Sequence, residues 1–449
     1  MIDLSRLLTE KSFQGKPIMV FGIGSSGLAA VRALHAAGFE VFAGDDNQER
    51  REETEKSGAK WVSDPLEFDY KTLSAVVLAP GIPLHFPVPH PVCNLAVAAG
   101  CPLISDIELF GLAQTGHNPI VAITGTNGKS TTTALIAHIL NQLGMTAVAG
   151  GNIGKNALDL PQYEDGKGTY VIEISSFQID LCPRFRPDIA VLLNITPDHI
   201  DRHGSMEGYA AVKAKLFDDA RFAVITGEDH YCKELAAKLG TAIIRDLPVP
   251  TDGLPCLAGK HNTQNIAAAY AVCRRLLPDM KDAQFRHALE TFPGLPHRQE
   301  IAASVGHVVF INDSKATNPD ATAPALDTYG NIYWIAGGIA KKISEFDPLL
   351  TKHGRNIAHV FLIGEAASGI AEYLQKHKIP YHYSETLDTA VYEAYQMAAA
   401  MPDEKSHVLL SPACASFDQF KNFEQRGDIF RQLAQRITAA EGGRTHAVH

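Results

Sequence analysis

The stretch Pro119-Ile-Val-Ala-Ile-Thr-Gly-Thr-Asn-Gly-Lys-Ser-Thr-Thr-Thr133 decides the fold of this chain. Its apolar, β-branched start, residues 120–123, is typical of a buried parallel strand. The strand breaks at Gly125 and Gly128, and a helical pattern follows from about residue 130 to 143. This order forms a phosphate cradle, because glycines let successive backbone N–H groups turn inward and the helix N-terminus adds partial positive charge.

The same loop predicts a site for a nucleoside triphosphate. Lys129 can reach the β and γ phosphates, and the hydroxyl of Ser130 or Thr131 can ligate Mg²⁺. The full Walker pattern has a glycine where this chain has Ile123, so the loop is a shortened G-x-x-G-K-S version. The alternative is an ordinary strand-to-helix turn that carries a lysine. The agreement between the strand, the Gly-Lys-Ser run and the threonines argues against it.

Composition limits the class of protein. A chain of 449 residues predicts two to four domains, and 45% hydrophobic with 20% charged residues is typical of a soluble globular protein. A formal net charge of −10 argues against a nucleic-acid surface. Seven cysteines without a C-x-x-C pair indicate reduced thiols, and no apolar run approaches the roughly 20 residues that span a bilayer. We therefore expect a cytoplasmic enzyme without a membrane or nucleic-acid partner. A monomer is a further prediction that does not follow from composition.

The first 110 residues begin as a βαβ unit. A buried strand at residues 17–21 leads into Gly22-Ile-Gly-Ser-Ser-Gly27, a second strand ends in acids at residues 45–46, and a third ends in a Pro-Gly turn. This fingerprint predicts a dinucleotide or another nucleotide, so an NAD dehydrogenase is an alternative here. The carboxyl ends of parallel strands line the ligand crevice. The residues expected there are Ser25, Ser26, Gly27, Asp45 and Gly81, with Asp46 as a neighbour.

Further candidates follow the strands of the middle region. Glu173 lies in an apolar strand, where a lone carboxylate is costly unless it is paired or bound to a metal, so we expect Mg²⁺. A salt bridge at a strand edge is the alternative. His199 follows the apolar strand 189–195 in a dense polar run, which makes it the best metal-ligand candidate. By pattern alone Lys213 cannot be distinguished from a solvated helix lysine. Asn262 and Asn265 could cap a helix or bind an adenine edge.

The remaining residues predict a second open α/β sheet. Strands near residues 308, 333, 360 and 407 each end in polar or small residues, which places Lys315, Thr317, Lys341 and Ser416 on the crevice side. A proline-rich joint at residues 293–298 marks a boundary. The predicted fold is therefore α/β with three domains: a Rossmann-like domain over 1–110, a P-loop ATPase-like parallel sheet over 111–297, and a Rossmann-like α/β domain over 298–449.

Several long motifs together resemble the Mur ligase family, whose members are ATP-dependent amide-bond ligases of peptidoglycan synthesis. They are Thr124–Thr131, Gly151–Gly154, Glu173–Gln178, Asn194–His199, His261-Asn262 with Asn265, Leu295–Arg298 and Asn312–Asn318. The run from Ser411 to Gly427 resembles the branch of the family that adds D-glutamate. The motifs span roughly residues 20 to 427.

The resemblance implies a role for each candidate. UDP-N-acetylmuramoyl-L-alanine would lie against the crevice residues of the first domain, Asn152 and His199. ATP would be held by Gly125, Thr126, Asn127, Gly128, Lys129, Ser130, Thr131, Asn265, His297, Arg298, Asp313 and Lys315. One Mg²⁺ would be held by Ser130 and Glu173, and a second by His199 and carbamylated Lys213. D-Glutamate would meet Thr317, Lys341, Ser416, Phe417 and Phe423, with Lys342 as the alternative to Lys341. Lys129, Glu173, His199 and Lys213 would be the catalytic set.

The implied reaction is a ligation through an acyl phosphate, without a covalent enzyme nucleophile. Three enzyme alternatives stay open. Another Mur ligase would differ in the last domain, and a folylpolyglutamate synthase would lack the Gly22–Gly27 unit. An NAD dehydrogenase would explain that unit and nothing after residue 120. A nucleotide-binding module without catalysis is a further alternative.

Overall fold

A computed structural model describes residues 1–114, 116–259, 261–401 and 405–445. The chain forms two compact units, Met1–Pro250 with Thr263–Phe292 (unit 1) and Thr251–Asn262 with Pro293–His449 (unit 2). Unit 1 contains two five-stranded sheets and unit 2 contains one six-stranded sheet. The predicted α/β class with parallel sheets is confirmed. The domain limits at residues 110 and 297 stay predictions.

The first sheet of unit 1 is wholly parallel, in the order β3-β2-β1-β4-β5. Its central strand β1 is buried along its length, as its run of apolar residues predicts. The elements are β1 (Ile18–Phe21), α1 (Ser25–Ala36), β2 (Val41–Gly44), α2 (Arg51–Lys56), β3 (Lys60–Trp61), β4 (Ala75–Leu78), α3 (Pro91–Ala98), β5 (Leu103–Ile104) and α4 (Asp106–Gln114).

The second sheet of unit 1 is also parallel, in the order β10-β9-β6-β8-β7. Strand β6, which precedes the phosphate loop, is central and every residue in it is buried. The elements are β6 (Ile120–Thr124), α5 (Lys129–Gln142), β7 (Ala147–Gly151), β8 (Thr169–Glu173), α6 (Ser176–Ile179), β9 (Ile189–Leu192), α7 (Ile200–His203), α8 (Met206–Ala214), β10 (Phe222–Ile225), α9 (His230–Leu239), α10 (His261–Leu276) and α11 (Asp282–Glu290).

The sheet of unit 2 has the order β11-β12-β16-β13-β14-β15. Its strands are parallel except for the edge pair β11 and β12, which form an antiparallel hairpin that the sequence did not predict. The elements are β11 (Glu300–Val305), β12 (Val308–Asn312), α12 (Pro319–Thr328), β13 (Ile332–Gly337), α13 (Phe346–His353), β14 (Ile357–Ile363), α14 (Ala367–Lys376), β15 (Tyr381–Glu385), α15 (Leu387–Ala399), β16 (Ser406–Leu410) and α16 (Phe423–Thr445).

One hydrophobic core runs through unit 1 and includes side chains of both of its sheets. Within it Phe110 packs edge-on against Tyr170, with ring centroids 5.2 Å apart. In unit 2, apolar clusters cover both faces of the sheet. Parallel strands need this cover on both faces, which fits the α/β layering. Among the described residues, none of the helices has the length and apolar character needed to cross a bilayer.

The core of unit 2 provides a test of the packing. Phe310 is fully buried, with ring centroids 5.8 Å from Tyr395 and 6.4 Å from Phe430. We expect Phe310→Ala to lower the free energy of unfolding of unit 2 by about 3–5 kcal/mol, because it removes buried contacts and leaves a cavity. Urea unfolding, followed through Trp334 fluorescence in a Trp61→Phe background, measures the loss.

Tyr392→Ala is the control, since Tyr392 is 57% exposed on the same unit. Its effect should stay within about 0.5 kcal/mol. Equal losses in the two variants would contradict the packing described.

Candidate active site

The phosphate loop joins β6 to α5 and depends on two glycines. Gly125 has φ 150° and Gly128 has φ 85°, both in the region that favours glycine. Gly128 is also the N-cap residue of α5. A Cβ atom on Gly128 would lie 2.3 Å from Asn265 Oδ1, so a side chain does not fit there. The loop therefore has the backbone freedom and close approach that the sequence predicted.

Asn194 holds the backbone of this loop. Thr126 N donates to the Asn194 carbonyl over 2.9 Å, and Asn127 N donates to Asn194 Oδ1 over 2.9 Å. Asn194 Nδ2 donates back to the Asn127 carbonyl over 3.2 Å. Thr196 N donates to Thr126 Oγ1 over 3.0 Å. Asn194 was not among the predicted site residues, although it begins the Asn194–His199 motif.

Two lysines converge on the loop. Lys129 Nζ donates to the carbonyls of Gly125 and Thr126, over 2.9 and 2.7 Å. Lys213 Nζ donates to the same Gly125 carbonyl over 2.9 Å and to Thr124 Oγ1 over 3.3 Å. Lys213 is 1% exposed, so it is not a solvated helix lysine. Burial lowers the pKa of Lys213 well below its usual range, and the charge of Lys129 lowers it further.

Glu173 ends β8, the neighbour of β6, and pairs in register with Ile123. Its side chain is buried, and Oε1 accepts a hydrogen bond of 2.9 Å from Asn152 Nδ2. Among the described residues, Oε2 has no hydrogen-bond partner. A buried carboxylate oxygen without a partner is costly, and it is a hard ligand of the type that Mg²⁺ prefers. Glu173 is therefore a candidate cation ligand, and the edge salt-bridge alternative does not apply to this internal position of the sheet.

His199 lies on the other side of the loop, at the start of α7. Its φ of 53° is left-handed, and it is the N-cap residue of that helix. Its Nε2 lies 3.4 Å from Asp198 Oδ2, and its ring centroid is 4.9 Å from that of Phe177. Burial lowers the pKa of His199, while Asp198 opposes the shift and Lys129 adds to it. A neutral imidazole is the form that binds metal ions.

The start of α5 and the first turn of α10 complete the surroundings of the loop. Ser130 and Thr131 are both buried in the first turn of α5. Asn265 is 3% exposed, and its Oδ1 accepts a 3.1 Å hydrogen bond from Thr132 Oγ1. Unit 1 thus brings the predicted residues of the loop, Glu173, His199, Lys213 and Asn265 into one neighbourhood.

The predicted crevice of the first sheet also assembles within unit 1. Ser25, Ser26 and Gly27 form the first turn of α1, and a Cβ atom on Gly27 would lie 2.1 Å from the Gly22 carbonyl. The carboxylate of Asp45 accepts hydrogen bonds from the backbone N–H groups of Ile23 and Asn47. This acid therefore stabilises the glycine turn itself.

The two other predicted crevice residues lie at its margin. Asp46 Oδ1 lies 3.3 Å from Nε2 of His90. Gly81 is exposed in the turn after β4.

In unit 2, a buried polar group follows β12. Ser411 Oγ donates to Asp313 Oδ2 over 2.7 Å, and Gln299 N donates to Asp313 Oδ1 over 3.1 Å. Burial raises the pKa of Asp313 to about 7, against the Ser411 hydrogen bond and the charge of Arg298, which lower it. His297 is buried, and its carbonyl accepts from Lys315 N over 3.0 Å. The four predicted ATP contacts of this unit are thus neighbours.

Four of the predicted D-glutamate residues, Thr317, Lys341, Ser416 and Phe417, lie on loops that follow strands, and Phe423 is the first residue of α16. Ser416 is buried, while Phe417 is 70% exposed. The Lys315 ammonium lies 5.6 Å from the ring centroid of Phe423. A bridge between Ile339 and Ala415 joins the loops that carry Lys341 and Ser416. Lys341 and Lys342 are both exposed, so both stay candidates. Thr317 N donates to the Lys315 carbonyl over 2.9 Å.

Sequence reasoning missed Arg426, which is 1% exposed beneath these loops. Its guanidinium donates to Ser314 Oγ, the Ser314 carbonyl and the Cys414 carbonyl, over 3.0, 2.9 and 3.2 Å. Burial lowers the pKa of Arg426 to about 10. Its place in the Asn-Phe-Glu-Gln-Arg-Gly427 run was the available signal, but a pattern does not show which arginine is buried.

Fold and geometry first define a class. This is an α/β protein with a glycine-rich strand-to-helix loop on a central parallel strand, beside a buried lysine and a carboxylate oxygen that has no partner in the described part of the chain. Two family models match the chain: "Mur ligase middle domain" over residues 123–247 and "Mur ligase, glutamate ligase domain" over residues 297–414. The chain belongs to the Mur ligase family.

Curated relatives match along nearly the whole chain. A protein of Chelativorans sp. (strain BNC1) is 42% identical over 97% of this chain and 98% of its own length. One of Agrobacterium fabrum is 44% identical over 98% of each. Both are named UDP-N-acetylmuramoylalanine--D-glutamate ligase.

Solved structures support the fold at lower identity. UDP-N-acetylmuramate-alanine ligase MurC from Thermotoga maritima has a TM-score of 0.57 and 20% identity, over 94% of this chain and 99% of that one. MurF from Acinetobacter baumannii has a TM-score of 0.55 and 17% identity, over 77% and 87%. At these identities the similarity concerns the fold.

The phosphate loop gives a test with a matched glycine. We expect Gly128→Ala to weaken ATP binding by about tenfold or more, because the new Cβ collides with Asn265 Oδ1 and distorts the loop. Isothermal titration calorimetry measures the dissociation constant.

Gly144→Ala is the control. Gly144 has a similar φ of 83° but open space at its Cβ position. It carries the same backbone strain without the collision and should bind ATP as the wild type does. Equal loss in both variants would mean that the weaker binding comes from general destabilisation and not from a change in the phosphate loop.

Asp313 gives a test by pH. The unfolded carboxyl ionises near its ordinary pKa of 3.8, whereas the folded one keeps its proton to about pH 7. The folded state therefore binds more protons in this window, and its stability from Asp313 falls as the pH rises from about 4 to about 7. Asparagine does not titrate. We expect the unfolding free energy of Asp313→Asn, relative to wild type, to rise through this window and to level off above it.

The measurement is urea unfolding followed through Trp334 in the Trp61→Phe background at several pH values. Asp320→Asn, which changes an exposed carboxylate in unit 2, is the control and should differ from wild type by a constant amount. A pH-independent difference for Asp313→Asn would refute the raised pKa.

Proposed function

We propose that this chain is an ATP-dependent ligase that adds D-glutamate to UDP-N-acetylmuramoyl-L-alanine in the synthesis of a peptidoglycan precursor. The observation that carries the proposal is the similarity at 42–44% identity, along nearly the whole chain, to curated ligases of that name. The phosphate loop of unit 1 supports it, because a ligase that activates a carboxylate with ATP must hold the transferred phosphoryl group. The products are ADP, phosphate and the new amide.

The proposed reaction has two steps. The carboxylate of the L-alanyl group attacks the γ-phosphorus of ATP, which breaks the bond to ADP and gives an acyl phosphate. The amine of D-glutamate then attacks the acyl carbon, the tetrahedral intermediate expels phosphate, and the amine proton is released. Phosphoryl transfer of this kind depends mainly on positioning and on stabilising charge. Lys129, beside the loop carbonyls, is the proposed partner of the γ-phosphate.

Two cation sites are part of the proposal. Ser130 and Glu173 would hold one Mg²⁺, and His199 with carbamylated Lys213 would hold the second. Bound Mg²⁺ would neutralise the charge that grows on the transferring phosphoryl group. The support in this structure is the donor chemistry. Glu173 Oε2 is buried and has no hydrogen-bond partner within the residues that the structure describes. Burial lowers the pKa of His199, which favours the neutral imidazole.

Lys213 has the properties that carbamylation needs. An uncharged amine attacks the carbon of CO₂, forms the N–C bond and releases one proton, which leaves a carboxylate on the lysine. Burial and the Lys129 charge lower the pKa of Lys213, which favours the uncharged amine. The modification would replace a buried cation beside Lys129 with an anion, and so would relieve their repulsion.

The remaining predicted ligand contacts are also part of the proposal. The UDP-linked substrate would lie along Ser25, Ser26, Gly27, Asp45, Asp46, Gly81 and Asn152. Asn265 would meet the adenine. In unit 2 the proposed ATP contacts are His297, Arg298, Asp313 and Lys315, and the proposed D-glutamate contacts are Thr317, Lys341, Ser416, Phe417 and Phe423. A cytoplasmic location and action as a monomer also stay predictions, and all seven cysteines are free thiols, as a reducing compartment requires.

Phosphate release tests the function. We expect Mg²⁺-ATP to yield phosphate only when UDP-N-acetylmuramoyl-L-alanine and D-glutamate are both present, with L-glutamate, L-alanine and meso-diaminopimelate inactive. Lys129→Ala should lose this activity while its circular dichroism spectrum stays that of the wild type, because the γ-phosphate loses its partner.

The outcomes separate the alternatives. Release with another amino acid would keep the ligase chemistry and overturn the choice of D-glutamate. Release by Lys129→Ala at the wild-type rate would remove the phosphate loop from the mechanism. Absence of release with every amino acid would overturn the proposed function.

A further inference from the structure

Arg202 makes an unusual set of contacts within unit 1. It lies in α7, and its backbone N donates to the His199 carbonyl over 3.0 Å. Its side chain reaches across to the turn after β4 in the first sheet. There Nη1 donates to the Gly81 carbonyl over 3.2 Å, and Nη2 donates to the carbonyls of Ile82 and Pro80 over 3.0 and 3.4 Å. One guanidinium thus binds three successive carbonyls of one turn.

The guanidinium is itself held in place by an aromatic ring. Its carbon lies 4.6 Å from the ring centroid of Phe177, within the range of a cation–π contact. Phe177 also stacks on His203, with centroids 5.3 Å apart and the planes at 10°. The planar fork of arginine suits this arrangement, since one face covers the ring while the edge donates. The ammonium of a lysine has neither the plane nor the fork.

Neighbouring contacts bring the same two segments together. His85 Nε2 lies 3.1 Å from Asp180 Oδ2. Phe86 packs against Gly204, where an added Cβ would lie 2.9 Å from the ring. The segment after β4 therefore lies along α6 and α7, and Arg202 provides its link to the turn that carries Gly81.

We propose that Arg202 is a positioning residue for the UDP-linked substrate. Its guanidinium holds the Pro80–Ile82 turn at a set distance from His199. One bound UDP-linked substrate can then contact both the crevice of the first sheet and the region of the phosphate loop. The inference rests on the proposed function, which places Gly81 and His199 on this substrate. It adds a residue that touches neither the phosphate loop nor the predicted ligand contacts of α1.

The physical reason is the cost of releasing three carbonyls. Hydrogen bonds to a charged donor are stronger than neutral ones, and their loss frees the turn to hydrate and move. Substrate binding must then order the turn again, which weakens affinity without altering the phosphate loop. The expected loss is therefore specific to one substrate.

The test compares Arg202→Ala and Arg202→Lys with Arg51→Ala, which removes an exposed arginine whose partner is Glu55 on the surface of α2. Calorimetry without ATP gives the dissociation constant of UDP-N-acetylmuramoyl-L-alanine, and phosphate release gives KM for each substrate and kcat. For Arg202→Ala we expect affinity for the UDP-linked substrate to fall about tenfold or more, with KM for ATP and D-glutamate unchanged. Arg202→Lys should also bind the UDP-linked substrate more weakly than the wild type, and Arg51→Ala should bind it with wild-type affinity.

The restriction of the loss to one substrate is the readout that a purely structural role would not produce, and added guanidinium ion, at a concentration that leaves the wild type folded, tests whether the missing fork causes the loss. It should restore part of the affinity of Arg202→Ala by occupying the vacated position, and it should not improve Arg51→Ala. Unchanged affinity in Arg202→Ala would overturn the inference. Equal weakening toward all three substrates, without rescue, would also overturn it and assign Arg202 to general stability.

Failure of the proposed function would give a different result, because the wild type itself would then release no phosphate with D-glutamate. Arg202→Lys serves where Arg202→Ala does not fold, since it keeps the charge and most of the length of the side chain. Wild-type affinity in the folded lysine variant would overturn the need for the guanidinium fork.

Discussion

The carbonyl of Gly125 is the point on which the site of unit 1 depends, because two lysine ammonium groups donate to it. Lys129 and Lys213 each reach it over 2.9 Å, from two different helices. Two like charges this close repel, and burial makes the repulsion stronger than it would be in water. Burial lowers the pKa of Lys213, and this repulsion from Lys129 lowers it further. Unit 1 thus concentrates positive charge at the loop where an anionic phosphate would bind, and it provides an amine that can lose its charge.

The carboxylate of Glu173, at the end of the neighbouring strand β8, complements this positive charge. Glu173 follows β8 as the loop follows β6, so the parallel register places the carboxylate beside the loop. Asn152 satisfies one of its oxygens and leaves the other without a partner. An unsatisfied buried acceptor costs free energy, which is the physical support for the cation site proposed at Glu173.

The loops of unit 2 rely on buried polar contacts in the same way. Asp313, Ser411 and Gln299 form one hydrogen-bonded group, and Arg426 ties Ser314 to Cys414 beneath the predicted amino-acid contacts. These interactions hold loops that emerge from different strands. Exposed residues such as Phe417 therefore lie on loops whose backbone is fixed by buried hydrogen bonds.

Much of this protein is determined by its sequence alone. The phosphate loop, the glycine turn after β1 and the apolar strands are local patterns, because glycine conformations and strand burial depend on residues close in the chain. The helix predicted from about Ser130 begins at Lys129, and the buried strand at residues 120–123 extends to Thr124. The family motifs were equally legible, since each is a continuous run.

Only the tertiary structure decided which polar side chains meet. Lys213 has the pattern of a solvated helix lysine, yet it is buried against a carbonyl that lies 88 positions earlier in the chain. Asn194, Arg202 and Arg426 act through hydrogen bonds to distant backbone groups, and the antiparallel β11 joins an otherwise parallel sheet. Burial and long-range hydrogen bonds arise from how elements pack, and neither the type of a residue nor its local spacing contains that information.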